Sequence, residues 1–492
     1  MGWVRGEREL GKGEAGQASR ATIASDADGS DTIAAVATAI APGQGSVAIV
    51  RISGPQAEAI GARLFRAPGQ QVWESHRVLY GHVVDPATGE PVDEALLLLM
   101  RAPRSFTRET VVELHGHGGL VAVQRVLELV LAAGARRALP GEFSQRAFLN
   151  GRLDLTRAEA ISELVTARSR RAAQLAMAGL DGGLHRRIAA LRGQLLDQLA
   201  ELEARVDFEE DLPPLDGAGV VAALTAVRQE LEQLVAEARQ GALLREGLRV
   251  AIVGRPNVGK SSLLNRLSRR ERAIVTDLPG TTRDLLESEL VLEGVPLTLL
   301  DTAGIRPTDD AVEQLGIARS REALAAADAV VLVFDLVAGW TAADAELRAL
   351  VPEGVPLLLV GNKADLVENL DAADVAADVA AGPDGPAVPR PDVAISALTG
   401  AGSDALVQAL LRRCGAADVQ GVQVALNARQ RDLAARAAAA LGGSLEAAAQ
   451  QLPWDFWTID LRAAVRCLGE ITGEEVSEAV LDRVFARFCI GK

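Results

Sequence analysis

The sequence predicts an α/β P-loop domain inserted into an all-α helical domain, preceded by an α+β N-terminal domain. Three observations carry this prediction. A glycine-rich loop joins the apolar run LRVAIVG to the helical pattern LLNRL. Strand-like runs alternate with helical patterns after that loop. Long stretches with apolar residues at steps of three and four lie on both sides of this region.

The N-terminal domain is expected over residues 31–148. The runs TIAAVATAI, GSVAIVRISG, VLYGHVV and EALLLLM are strand-like, and Gly/Pro turns separate them without regular βαβ alternation. Residues 1–30 are polar and lack the apolar core of a signal peptide. We expect them to be a disordered extension, or the product of a start codon assigned too early.

The helical domain is expected in two parts, residues 149–246 and 418–492. One apolar stripe runs from Leu184 to Val206, a second runs from Leu224 to Ala238, and two further helical patterns follow residue 417. Alanine-rich helices with one apolar face need partners to bury that face. This favours one helical domain split by an insertion over two separate helical segments.

The inserted domain is expected over residues 247–417. Its apolar runs LRVAIV, LVLEG, LTLLD, AVVLVFD, PLLLVG and VAIS alternate with helical patterns. Such alternation predicts a mainly parallel sheet with a ligand at the carboxyl ends of the strands.

The loop GRPNVGKSS, residues 254–262, has the pattern and the strand-to-helix context of a phosphate cradle. Its glycines let backbone amides close on phosphates, and a helix N-terminus favours negative charge. Lys260 is expected to reach the β- and γ-phosphates, and the Ser261 hydroxyl is expected to bind Mg²⁺.

Three later motifs turn this nucleotide site into a GTP site. LTLLDTAG ends a buried strand in Asp301 and Gly304, where P-loop enzymes hold Mg²⁺ through water and sense the γ-phosphate. In NKAD, Asp365 can accept two N–H groups of guanine that adenine lacks, and the Lys363 stem can pack over the base. In VAISAL, Ser396 and Ala397 are placed to contact the O6 side of guanine.

The residue after the DTAG motif is Ile305, where a Ras-like GTPase has a water-orienting glutamine. Another group must therefore position water and neutralise charge. A monovalent cation held by Asn257 and carbonyls of the loop TDLPGTTRD is one candidate. The alternative is that Asn257 is a turn residue chosen for its backbone conformation.

Composition narrows the class of protein. The 492 residues suffice for several domains, and 49% of them are hydrophobic. The cysteines Cys414, Cys467 and Cys489 have neither metal-ligand nor disulfide spacing, which fits a reducing, cytoplasmic environment. No apolar run is long enough to span a membrane. The net charge of −15 argues against broad, non-specific nucleic-acid binding, so any RNA contact must be local or shared with a partner.

The strings GRPNVGKSS, TDLPGTTRD, DTAGIR and FCIGK resemble the bacterial tRNA-modification GTPases of the MnmE (TrmE) family. So do TIAAVATAIAPGQGSVAIVRISG, VVELHGHGG and GEFSQRAFLNGRLDLTRAEAISELV. Together they extend over about residues 31–492.

The resemblance implies a K⁺-dependent GTPase with Mg²⁺ that forms a homodimer through its N-terminal domain. It also implies that the protein forms a heterotetramer or larger complex with the FAD-containing partner MnmG. That complex adds a carboxymethylaminomethyl or aminomethyl group to C5 of the wobble uridine of certain tRNAs. A tetrahydrofolate derivative, 5,10-methylene or 5-formyl, supplies the one-carbon unit.

By motif, the resemblance assigns K⁺ to Asn257, Thr276, Leu278 and Thr281, and Mg²⁺ to Ser261 and Thr282. The expected catalytic residues are Glu313, Lys260 and Asn257. Without the resemblance, the pattern around Glu313 is typical of a solvated carboxylate on a helix face. Folate contacts fall on Arg51, Glu113, Arg152 and Lys492. GTP contacts are expected from Asn257, Val258, Gly259, Lys260, Ser261, Ser262, Thr276, Asp277, Leu278, Pro279, Gly280, Thr281, Thr282, Asp301, Thr302, Ala303, Gly304, Asn362, Lys363, Ala364, Asp365, Ser396, Ala397 and Leu398.

Some interpretations stay open on the sequence alone. A ribosome-assembly GTPase, or a regulatory GTPase without one-carbon chemistry, would share the nucleotide motifs. The acidic balance counts against the first of these. Cys489 can be a nucleophile or a small buried residue. We expect His115 and His117 to be loop residues beside the folate site.

Overall fold

The computed structural model describes residues 31–40, 45–208, 214–270, 287–301, 324–367, 389–416 and 425–491. They form two compact units. The first contains the described residues up to 153 together with residues 481–491, and the second contains the described residues from 154 to 480.

The first unit is built on a seven-stranded sheet with the strand order β3-β4-β5-β6-β2-β1-β7. Neighbouring strands are antiparallel except β1 and β7, which are parallel. The strands are β1 (Ile33–Val36), β2 (Val47–Ser53), β3 (Phe65–Arg66), β4 (Val78–Val84), β5 (Pro91–Met100), β6 (Val111–His117) and β7 (Arg136–Arg137). The helices are α1 (Ala57–Leu64), α2 (Leu120–Ala132) and α3 (Glu142–Leu149).

Helices α1 and α2 cover one face of this sheet. Alternate strand residues such as Leu97 and Leu114 join Ile60 and Val130 of these helices in one buried core. On the opposite face, Val78 and Tyr80 remain largely exposed. Strand residues alternate between the two faces, so the apolar residues of the second face mark a surface that the first unit itself leaves uncovered.

Within the first unit, residues 481–491 pack against α3. The ring of Phe485 lies 6.4 Å from that of Phe148, and the Gly141 amide donates to the carbonyl of Cys489 at 3.4 Å. The sequence-based division placed these residues with the helical domain. The other predicted domain boundaries stay predictions.

The helical part of the second unit has helices before and after the α/β part. They are α4 (Leu155–Thr166), α5 (Arg170–Leu180), α6 (Gly183–Phe208), α7 (Gly217–Glu246), α11 (Ala428–Ala449), α12 (Trp454–Thr472) and the start of α13 (Glu478–Phe485). The predicted stripe on α6 is buried from Leu184 to Leu202, and Leu195 shares one apolar core with Leu231 of α7, Leu441 of α11 and Leu461 of α12. The predicted helical domain, split by an insertion, is therefore confirmed.

The α/β part holds a six-stranded sheet of order β13-β12-β11-β8-β10-β9, parallel except for the edge strand β9. Its strands are β8 (Leu248–Val253), β9 (Glu287–Leu292), β10 (Val295–Asp301), β11 (Ala329–Asp335), β12 (Leu357–Asn362) and β13 (Val393–Ala394). Its helices are α8 (Lys260–Arg270), α9 (Ala342–Ala349) and α10 (Ser403–Arg413), with a 3₁₀ turn at Ala364–Leu366. The predicted mainly parallel sheet is confirmed, and its carboxyl edge carries the nucleotide motifs.

Within the described part of the chain, no helix combines the length and the apolar character that crossing a membrane requires.

Candidate functional site

The phosphate loop runs from the end of β8 to the start of α8, and two of its glycines are required by close contacts. A Cβ at Gly254 would collide with the carbonyl oxygen of Val333. A Cβ at Gly259, where φ is +97°, would collide with the side-chain amide of Asn362. The loop therefore keeps its shape only with glycine at both positions.

Lys260, the first residue of α8, lies folded over this loop. Its ammonium donates to the carbonyls of Gly254 at 2.6 Å and Arg255 at 2.7 Å. Ser261 and Ser262 follow in the first turn of the helix, and both are exposed. A cation, a helix N-terminus and a glycine-rich loop meet here, which is the arrangement that favours a bound phosphate.

Asn257 lies in the middle of the loop in a left-handed backbone conformation, with φ at +63°. Asparagine tolerates this conformation better than most residues. The side chain is exposed. This conformation gives a backbone reason for asparagine at this position, and that reason is independent of cation binding.

Asn362, the last residue of β12, joins the phosphate loop to the base side of the site. Its side-chain nitrogen donates to the carbonyl of Val258 at 2.7 Å, and its side-chain oxygen accepts from the Ala397 amide at 2.9 Å. The residue is 2% exposed. Three motifs that are far apart in sequence therefore share one buried amide.

Lys363 is fixed by an aspartate that the sequence motifs did not include. Its ammonium lies 2.6 Å from the carboxylate of Asp335, the last residue of β11. Burial raises the pKa of Asp335, but the hydrogen bonds from Lys363 and from two backbone amides outweigh it and hold the pKa below its ordinary value. The signal was present in the sequence, because AVVLVFD ends a buried strand in a carboxylate.

Asp365 lies on the 3₁₀ turn that follows and is exposed, so its carboxylate is accessible to a base. The Ala364 amide donates to the carbonyl of Ile395 at 3.0 Å, which brings the NKAD and SAL segments side by side. Ser396 is fully buried, whereas Leu398 is 81% exposed. The structure thus brings together the predicted base-recognition residues.

Several predicted site residues lie outside the residues that the structure describes. They are Thr276, Asp277, Leu278, Pro279, Gly280, Thr281, Thr282, Thr302, Ala303, Gly304, Glu313 and Lys492, and of Asp301 only the backbone, at the end of β10, is described.

Two of the predicted folate residues form an ion pair in the first unit. Arg51 on β2 donates to Glu113 on β6 at 2.7 Å and to the carbonyl of Gly491 at 3.1 Å. Its guanidinium carbon lies 5.6 Å from the ring centre of Phe143. The pair lies on the sheet face that α1 and α2 leave open, next to the C-terminal segment.

His115 adds a second partner to Glu113, with its Nε2 at 3.0 Å from the carboxylate. Burial raises the pKa of Glu113, but the hydrogen bonds of His115 and Arg51 and their charges outweigh it and hold the pKa below the ordinary 4.5. The expectation that His115 and His117 are loop residues was wrong, since both belong to β6. The glycines beside them suggested a loop, whereas strand pairing keeps the segment extended.

Arg152, the third predicted folate residue that the structure describes, lies with its guanidinium carbon 5.8 Å from the ring centre of Phe106. No contact joins it to the Arg51–Glu113 pair among the described side chains. Across the described ranges, no group of three or more His, Cys, Asp or Glu residues is arranged to hold a metal ion.

A cavity of about 600 Å³ lies away from the phosphate loop, at the amino ends of the parallel strands. Its lining includes Arg168, Gly247, Glu289 and Thr298. It therefore lies where the helical part meets the sheet of the second unit.

The strand order, the loop after β8 and the motifs at the carboxyl edge define a P-loop GTPase fold. Two family models match the chain: "GTP-binding protein TrmE N-terminus" over residues 32–152 and "MnmE helical domain" over residues 155–489. The chain belongs to the MnmE (TrmE) family.

Two relatives illustrate the similarity. A protein of Synechococcus sp. named tRNA modification GTPase MnmE is 72% identical over 94% of this chain and 98% of its own length. A protein of the same name from Parasynechococcus marenigrum is 71% identical over 94% of this chain and 99% of its own. A crystal structure of Aquifex aeolicus Era bound to GDP and AlF4⁻ covers 39% of this chain and 66% of its own, with 28% identity and a TM-score of 0.27.

Proposed function

We propose that this protein hydrolyses GTP to GDP in the cytoplasm and acts in tRNA modification. With an FAD-containing MnmG partner, it takes part in adding a carboxymethylaminomethyl or aminomethyl group to C5 of the wobble uridine of certain tRNAs. The observation that carries the proposal is the buried amide of Asn362, which holds the phosphate loop and the base-recognition segments together. The name that both relatives carry, tRNA modification GTPase MnmE, supports the tRNA part.

In this proposal the guanine nucleotide lies along the carboxyl edge of the sheet. The phosphates take the Lys260 ammonium from the two loop carbonyls that it now contacts. The exposed Asp365 carboxylate accepts the two adjacent N–H groups of guanine, and Lys363, oriented by Asp335, packs over the base.

Hydrolysis is proposed to need Mg²⁺ and K⁺. Ser261 supplies a hydroxyl for Mg²⁺ at the start of α8, together with Thr282. Asn257, with Thr276, Leu278 and Thr281, is proposed to hold K⁺, whose charge neutralises the phosphates in the transition state. Glu313 is proposed to orient water, a role that Ile305 cannot perform.

A tetrahydrofolate derivative, 5,10-methylene or 5-formyl, is proposed to bind at Arg51 and Glu113, with contributions from Arg152 and Lys492. The lowered pKa keeps Glu113 anionic at neutral pH, so it can accept N–H groups of a pterin ring. The bound derivative supplies a one-carbon unit.

The same sheet face supports a homodimer. Val78, Tyr80 and Leu96 are 58%, 46% and 42% exposed, and Tyr80 and Leu96 are direct neighbours across β4 and β5. An exposed apolar group of this kind is typical of protein–protein contacts. A second copy of the chain is the proposed occupant, and the complex with MnmG is a heterotetramer or larger.

The test uses the full-length chain and tRNA from a deletion strain of a related bacterium. GTP turnover should be faster in KCl than in NaCl, and Lys260→Ala should abolish it. Mass spectrometry of the wobble uridine should show the modification restored by the wild-type chain and not by Lys260→Ala. Equal GTP turnover in the two salts would contradict the proposed role of K⁺. A wobble uridine that stays unmodified with the wild-type chain would contradict the proposed role in tRNA modification.

A further inference from the structure

The β9–β10 hairpin connects the two segments that carry the predicted nucleotide-sensing motifs. β9 begins five residues after Thr282, and β10 ends at Asp301, the first residue of DTAG. The strands pair from Leu292 and Val295 outward, and a two-residue turn joins them. Both turn residues have positive φ, +51° and +87°, which is the type I′ geometry that matches strand twist. The hairpin is therefore a stiff unit with one end at the nucleotide edge.

The turn at the other end of the hairpin lies against α5 of the helical part. A Cβ at Gly294 would be 3.3 Å from the Cβ of Arg171. Just before α5, Arg168 forms an ion pair with Glu289 of β9 at 3.2 Å. Both side chains are about half exposed, so this pair orients more than it stabilises.

The core beneath the hairpin is also shared with the helical part. Leu175 of α5 and Leu244 of α7 belong to the same buried apolar cluster as Leu290 and Leu292. At the junction of α7 and β8, a Cβ on Gly247 would collide with the carbonyl oxygen of Pro296 in β10. The hairpin is thus packed onto two helices at the end away from the nucleotide.

We propose that α5 and the α7–β8 junction position the β9–β10 hairpin for GTP hydrolysis. Arg168, Arg171, Glu289 and Gly294 then act as positioning residues, because they set where β9 begins and where Asp301 lies without touching the nucleotide. Arg168 and Glu289 also line the cavity at the amino ends of the parallel strands. This inference rests on the proposed GTPase function, and it makes the helical part a control element for hydrolysis.

The test compares Gly294→Asn with Gly354→Asn in the full chain. Asparagine tolerates positive φ, so the turn is kept while the new side chain presses on Arg171. Gly354 has the same φ of +87°, and a Cβ at this position would have no atom within 4 Å, so it is a matched control.

Gly294→Asn should change kcat for GTP by about two- to thirtyfold. KM and GDP affinity should stay within about twofold of the control, since nucleotide contacts are untouched. The unfolding midpoints of the two variants should be similar. Equal kcat values in the two variants would overturn the proposal.

A charge exchange provides a second measurement on the surface, where folding is not at risk. Arg168→Glu should alter kcat, and the double variant Arg168→Glu/Glu289→Arg should return it toward the wild-type value. Arg228→Glu, which removes an exposed pair within α7, is the control. Failure of the double variant to restore kcat would overturn the proposal. An inactive wild type would instead contradict the proposed GTPase function.

Discussion

Asn362 donates its side-chain amide to the carbonyl of Val258 across 104 positions of sequence, at 2.7 Å. The same side chain accepts from Ala397. One buried amide therefore sets the distance between the phosphate loop and the two segments predicted to recognise guanine. We therefore expect the affinity for nucleotide and the stability of the α/β part to depend on the same contact.

Asn362→Ala should destabilise the second unit by about 1–3 kcal/mol, because the Val258 carbonyl and the Ala397 amide lose a buried partner. It should weaken GTP and GDP alike. Denaturant unfolding and nucleotide titration measure the two effects. Asn150→Ala, which removes a hydrogen bond to the Thr107 carbonyl in the first unit, is the control and should leave GDP affinity unchanged. A wild-type GDP affinity in Asn362→Ala would contradict the bridging role.

Asp365→Asn should reduce GTP affinity by about tenfold or more, because an amide accepts one of the guanine N–H groups and opposes the other. The same change should improve binding of xanthosine triphosphate, whose 2-oxo group can accept from the new amide. Competition titrations of the two nucleotides measure this exchange of preference. Glu353→Gln, an exposed change before β12, should leave the preference as it is. Unaltered GTP preference in Asp365→Asn would exclude Asp365 from base recognition.

Gly259→Ala should distort the phosphate loop, because φ is +97° and the new Cβ meets the Asn362 amide. We expect a strain of about 1–3 kcal/mol and a clear loss of nucleotide affinity. Gly415→Ala is the control: φ is +73° there too, so the backbone is strained, but the new Cβ has no atom within 4 Å to collide with. Calorimetric titration with GDP separates the two variants, and matching affinities would show that the loop adapts.

The Arg51–Glu113–His115 cluster predicts a pH dependence of stability. The pKa of Glu113 is lowered in the folded state, so its stabilising contribution is present above the ordinary pKa of 4.5 and is lost as pH falls through the folded value. Glu113→Gln should therefore lower the unfolding midpoint at neutral pH, and the difference from wild type should shrink below about pH 4.5. Thermal unfolding between acidic and neutral pH measures it. Glu90→Gln, at an exposed turn, is the control for removing a carboxylate charge from the first unit. A difference for Glu113→Gln that persists at low pH would contradict the ionic origin.

Features with a local cause could be predicted from the sequence. The phosphate loop at residues 254–260 could be recognised from its own residues, and the stripe on α6 could be recognised from helical spacing alone. The partner of Lys363 was missed although AVVLVFD ends in a carboxylate, because Asp335 meets Lys363 only when β11 and β12 pair. His115 and His117 were misplaced since adjacent glycines favour loops locally, whereas pairing with β2 and β5 decides the outcome.

Helical periodicity could not predict the position of residues 481–491 either, although the family resemblance assigned Lys492, together with Arg51, to the folate contacts. Helical periodicity placed them with the helices before them. Their contacts with Phe148 and Gly141 depend on residues more than three hundred positions away, which periodicity does not report.

Those contacts determine when the first unit can finish folding during translation. The ribosome makes the residues up to 153 early. Residues 481–491, which include the Gly491 carbonyl that accepts from Arg51, are made only after the whole second unit has been synthesised. Until then this part of the sheet face stays uncovered in the nascent first unit, and in a fragment ending at residue 153 it would stay uncovered permanently. Synthesis of residues 481–491 is therefore the step that completes the unit whose synthesis began first.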